Sequence, residues 1–138
     1  MIIYLDTSVT IPLIRTEEAT EKIQSYLQDL RIDRHYLISG RIIETEMRRA
    51  ATRLDISQSQ VTNVLRGLEI VEITPAIFRA AGQTPPQQLR SLDALHLATA
   101  LAANASAMIT LDQRLVEACS EVGLPVLDIN IPREYATA

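Results

Sequence analysis

The chain has 138 residues, 47% of them hydrophobic and 22% charged, which is enough for one core and far from the polar composition of a disordered segment. A formal net charge of −4 excludes a protein that holds nucleic acid through a broadly basic surface, so any phosphate contact must be local. Cys119 is the single cysteine, which excludes an internal disulfide and a cysteine zinc site.

The opening run Ile2 to Leu5 is apolar and β-branched, reads as a strand, and is interrupted at once by Asp6. It lacks the basic flank of a signal peptide and the length of a membrane span, so the expectation is a cytoplasmic protein with no membrane contact. Glu17 to Leu30 follows with helical spacing, where Ile23, Leu27 and Leu30 recur at four and three residues. A second strand is expected at Tyr36 to Ile38. The stretch Ile42 to Leu54 then places Ile43, Met47, Ala50 and Leu54 on one helical face, and a further helix after Asp55 has Ser57 as its N-cap. The two helices predict a hairpin. After a strand at Ile70 to Ile73, Thr74-Pro75 starts another helix, since proline is tolerated in the first turn.

Gly82 to Gln88, with Pro85-Pro86, is the clearest loop. It leads into Leu92 to Ala103, a helix apolar nearly all round and therefore expected to be buried. Strands at Ala107 to Thr110 and Pro125 to Leu127 complete the pattern, and the tail after Asn130 is polar. Short, continuously apolar strands separated by helices predict an α/β fold with a mainly parallel sheet covered on both faces. Aromatic residues make up only 4%, so Ile, Leu, Val and Ala must build the core.

Carboxylates at the predicted strand ends are the candidate chemistry. Asp6 follows the first strand, at the edge where open parallel sheets bind ligands, although Asp6 or Thr7 would also serve as a helix cap. Asp93 opens the buried helix, where the helix dipole favours it behind a Ser91 cap, yet a buried charge there needs a metal or cation. Asp112 follows the fourth strand, and Thr110 with Gln113 has capping-box spacing. Glu44 and Glu46 lie two apart and face different ways on one helix. Glu46 is slightly nearer the buried flank, and an exposed surface glutamate explains either. His96, mid-helix among apolar residues, reads as a packed, hydrogen-bonded histidine rather than a ligand or base. Twelve of the thirteen basic residues are arginine, Lys22 being the exception. Arg41, Arg48, Arg49 and Arg53 cluster on or beside the Glu46 helix, as a solvated face or as contacts for phosphates or acidic groups.

Taken in order, Leu5-Asp6-Thr7-Ser8, Thr45-Glu46-Met47-Arg48-Arg49-Ala50, Leu92-Asp93-Ala94-Leu95-His96-Leu97-Ala98 and Thr110-Leu111-Asp112 resemble the motifs of a PIN domain. The resemblance is greatest to the VapC ribonuclease toxins of bacterial toxin–antitoxin systems and runs from Ile2 to about Leu127. It implies a single PIN domain over residues 1–138, a three-layer α/β/α fold with a mainly parallel sheet of four to five strands. It implies an acidic site of Asp6, Glu46, Asp93 and Asp112, with Glu46 preferred over Glu44 by its distance from Ser39-Gly40-Arg41. Thr7, Ser8 and Thr110 correspond to small hydroxyl positions that support such a site, and Arg41, Arg48 and Arg49 become possible contacts for RNA or an antitoxin.

Four carboxylates sharing a site repel one another, and an oxygen-only ligand set favours Mg²⁺ or Mn²⁺ over zinc. The implied activity is a metal-dependent endoribonuclease, a hydrolase acting on RNA and leaving a 5′-phosphate and a 3′-hydroxyl, with a VapB-like antitoxin and a homodimer as implied partners. A receiver domain would need a lysine beside the acids, and Lys22 sits in a predicted surface helix. A haloacid dehalogenase-like phosphatase would need an Asp where Ser8 stands. The remaining alternative is a non-catalytic PIN fold that binds protein or RNA.

Overall fold

The computed structural model describes residues 1–15 and 18–129. Glu17, the expected start of the second helix, and the tail after Asn130 lie outside the described residues. The chain begins with β1 (Ile2–Leu5), α1 (Thr7–Ile14), α2 (Glu18–Ile32), β2 (Tyr36–Gly40) and the hairpin of α3 (Ile42–Leu54) and α4 (Gln58–Arg66). It continues with β3 (Glu69–Val71), α5 (Pro75–Ala81), α6 (Ser91–Ala102), β4 (Ala107–Ile109) and α7 (Gln113–Glu121).

The two-residue repeat of the strands sets the layers. Ile3 and Leu5 point to one face of the sheet, where with Leu37 and Ile109 they pack against Val9 of α1 and Ala19, Ile23 and Leu27 of α2. Tyr4, Ile38 and Met108 point the other way, against Leu97 and Ala100 of α6 and Leu115, Ala118 and Cys119 of α7. Helices therefore cover both faces, the three-layer α/β/α arrangement. The hairpin packs separately, with Ile43, Met47 and Ala51 of α3 and Val61 of α4 closing on Ile14.

The caps follow the local chemistry. The Ser57 hydroxyl accepts the Ser59 N–H at the start of α4, and the Thr74 hydroxyl accepts the Ile77 N–H at the start of α5, with Pro75 in its first turn.

All strands run parallel in the order β3-β2-β1-β4, with Tyr4 opposite Ile38 and Leu5 opposite Ile109. From β1 the chain moves outward through β2 to β3, then returns across the sheet to place β4 on the other side of β1. The order reverses between β1 and β4, which opens a crevice at their carboxyl ends. The expected strand at Pro125 to Leu127 is reduced to one bridge between Met108 and Val126. Met108 donates to the Pro125 carbonyl and Leu127 donates to that of Met108, but Pro125 has no N–H and Leu124 donates back to Cys119. The sheet of the described residues thus has four strands.

Candidate active site

Asp6 occupies the N-cap position of α1 in extended conformation, yet its side chain makes no capping hydrogen bond. The carboxylate turns instead into the crevice and accepts a bond from Ser8 Oγ at 2.7 Å. Ser8 Oγ also accepts the Leu111 N–H at 2.8 Å and lies 3.2 Å from Thr110 Oγ1, which itself accepts the Asp112 N–H at 3.1 Å. These hydroxyls tie the end of β1 to the segment after β4. Asp6 is only 4% exposed, and burial pushes its carboxyl up to about 6 despite the nearby His96 and the bonds from Ser8 and Thr110. It makes no ion pair among the described residues.

Asp93 stands in the first turn of α6, and the helix begins without a side-chain cap. Partial burial, then the charge of Asp112, raise its carboxyl above the ordinary range. Asp112 is the N-cap of α7 and accepts the Arg114 N–H at 2.9 Å, so its capping and cleft-lining positions coincide. Glu46 comes from α3, where Oε1 accepts Thr7 Oγ1 at 2.7 Å and bonds His96 Nε2 at 2.6 Å. Both partners hold the same oxygen, leaving Oε2 to the cleft. Asp6, Glu46, Asp93 and Asp112 line one cleft together with Thr7, Ser8, Ile11, Ile42, Thr45, Arg49, Arg53 and Leu92. Glu44 lies outside this lining and pairs with Arg41 and Arg48.

His96 is packed and hydrogen-bonded, as its sequence context predicts, but its partners belong to the site. Its Nδ1 meets the Tyr4 hydroxyl at 2.6 Å, and that hydroxyl accepts the Gly40 N–H at 2.9 Å. Burial alone would lower the imidazole; the bond and charge of Glu46, with Asp6 and Asp93, outweigh it and raise it overall. The available signal was its spacing: His96 is three residues after Asp93 and shares that face of α6. Tyr4 gave no signal, being one apolar strand residue among several.

The arginines separate. Arg41 forms ion pairs with Glu72 and Glu44, and Arg48 pairs with Glu44 and reaches Gln58 and Thr62 of α4. Neither lines the cleft. Arg49 does, and so does Arg53 one turn further along α3.

The donors suit a hard divalent cation. Every cleft carboxylate offers oxygen, and a buried Asp6 without an ion pair among the described residues is the environment such an ion relieves. Among the described residues no three His, Cys, Asp or Glu side chains close on a single point. The carboxylates face a shared cleft instead, with Asp6 buried and Glu46, Asp93 and Asp112 half-buried.

A parallel sheet with this crevice and these acids is the architecture of a PIN domain, and the PIN domain family model matches residues 3–121. Ribonuclease VapC35 of Mycobacterium tuberculosis is 36% identical over 130 residues, covering 91% of this chain and 95% of that protein. Ribonuclease VapC47 of the same species is 30% identical over 125 residues, covering 88% and 92%. The chain belongs to the PIN domain family, in its VapC group. Among solved structures, VapBC2 from Rickettsia felis bound to a promoter DNA fragment is similar with a TM-score of 0.72 at 18% identity, over 92% of this chain and 98% of the matched one.

Proposed function

We propose that this protein is a Mg²⁺- or Mn²⁺-dependent endoribonuclease that acts as the toxin of a toxin–antitoxin pair. The observation that carries the reading is the buried carboxylate of Asp6 at the switch point of the sheet, which makes no ion pair among the described residues, in a cleft shared with Glu46, Asp93 and Asp112. Those four residues would hold the cation, which supplies Lewis-acid charge for phosphodiester hydrolysis. The chain's own contribution is positioning: Ser8 and Thr110 hold Asp6, while Thr7 and His96 fix one oxygen of Glu46. No side-chain nucleophile is needed, and an acidic protein can then engage an anionic polymer at one local point.

Relatives named ribonucleases support RNA as substrate, and a VapBC structural neighbour supports a small VapB-like antitoxin. A homodimer and a cytoplasmic setting complete the proposal. Among the described residues no helix is long and apolar enough to cross a membrane. Incubation of the purified protein with total RNA tests the reading. Cleavage is expected with Mg²⁺ or Mn²⁺, leaving 5′-phosphate ends, and should be lost with a chelator or in Asp6→Asn. Cleavage that persists in that variant would overturn the assignment.

A further inference from the structure

Helix α3 turns about 100° per residue, and its side chains sort by that angle into three stripes. Ile43, Met47, Ala50 and Ala51 form the buried one. Arg41, Glu44 and Arg48 form a second, closed by its own ion pairs and by Glu72. Ile42, Glu46, Arg49 and Arg53 form the third, and all of them line the acidic cleft. Along that last stripe the chemistry changes in order. Ile42 stands one turn before Glu46, Arg49 about 4.5 Å of rise beyond it, and Arg53 about 6 Å further. Leu92, beside Asp93 at the start of α6, joins Ile42 in the cleft lining and is 46% exposed.

The geometry points to α3 as the track of the RNA strand, with a two-phosphate arm at Arg49 and Arg53 and a base-contacting lip at Ile42 and Leu92, so that sequence preference arises only at the lip. This rests on the ribonuclease reading above. Arg49 and Arg53 make no ion pair among the described residues, are exposed, and stand one turn apart, of the order of the step between successive phosphates in an extended strand. Guanidinium contacts to phosphate position a strand without reading it. Apolar side chains contact bases rather than phosphates, and among the described residues the one exposed large apolar side chain lining the cleft is Leu92. Along α3, Glu46 of the acidic cleft lies between Ile42 of the lip and Arg49 of the phosphate arm. Nucleotides on one side of the cut are held by charge, and those on the other by their bases.

Binding of single-stranded oligo(A), oligo(U) and oligo(C) in an Asp6→Asn background, where the strand should stay intact, tests both arms. Adding Arg49→Ala and Arg53→Ala should make log K against log salt shallower by about 1.4, two phosphate contacts on a single strand, and leave the ranking of the three RNAs unchanged. Arg41→Ala, in the closed stripe, should leave the slope as it was. Leu92→Ala should narrow the affinity spread among the RNAs without altering the slope. An unchanged slope in the double variant, or an unchanged spread in Leu92→Ala, overturns the inference. Failure of the ribonuclease reading shows separately, as wild-type protein that cuts no RNA with either cation.

Discussion

Asp6 gives the protein a pH dependence of unusual sign for a carboxylate. Its proton is held to about pH 6 in the folded chain and leaves near the ordinary 3.8 once unfolded. The folded state therefore binds more protons between those values, and stability falls as pH rises from about 4 to about 6, by on the order of 2 to 3 kcal/mol. Asp6→Asn keeps the shape and removes the charge. Urea unfolding without divalent cation should find the variant more stable than wild type at pH 7, with a flatter profile from about pH 4 to 6; equal profiles would mean that Asp6 is not strained by burial. The position of Asp6 was legible because a strand and a helix meet there. Its failure to cap α1 was not, since the competing partners Ser8 and Thr110 bring in a segment about a hundred residues away in the chain.

At the level of elements, β2 and α6 are brought together by an absent side chain. A Cβ on Gly40 would stand 2.8 Å from the Tyr4 hydroxyl and 3.2 Å from Thr99 Cγ2. Gly40→Ala should push Tyr4 away from His96 and destabilise the protein by about 1 to 3 kcal/mol, as overpacking does. Thermal or urea unfolding that shows no loss would contradict the tightness of this contact. The boundaries of α3 were readable in full, because its apolar stripe and the Ser57 cap of α4 are local signals. Which arginines of α3 face the cleft was half-readable: the helical angle separates Arg48 from Arg49, but the partner of Arg41 is Glu72, on the far side of the hairpin. The fifth strand failed for a related reason, since a β-branched run predicts extension but says nothing about whether Pro125 leaves enough donors to pair.

For the whole molecule, the sheet order decides where charge accumulates. β1 and β4 are far apart in sequence and adjacent in space, so the ends of both deliver acids to one crevice in a protein already at net −4. Repulsion among those acids is present in the folded state and relaxed in the unfolded one, so a bound cation should stabilise the fold. Above its dissociation constant, each tenfold rise in Mg²⁺ or Mn²⁺ should add about 1.4 kcal/mol, seen as a rising Tm at pH 7. The rise should shrink below pH 6, where Asp6 takes up its proton, and in Asp93→Ala. No response to either cation at pH 7 would favour the non-catalytic alternative. The parallel, doubly covered sheet was legible from its continuous apolar strands. The strand order was not, because it depends on which helices return across which face.

The bonds around His96 also fix the tautomer that its ring takes when neutral. Glu46 Oε1, a carboxylate oxygen, can only accept, so Nε2 carries hydrogen and Nδ1 of the neutral ring receives it from Tyr4. Tyr4 in turn accepts from the Gly40 amide. The donors thus run in one direction, from a backbone N–H in the sheet through a phenol and an imidazole to Glu46. In that neutral form the chain of bonds joins the centre of the sheet to the wall of the cleft, and turning the ring over would take both nitrogens away from buried Tyr4 and half-buried Glu46.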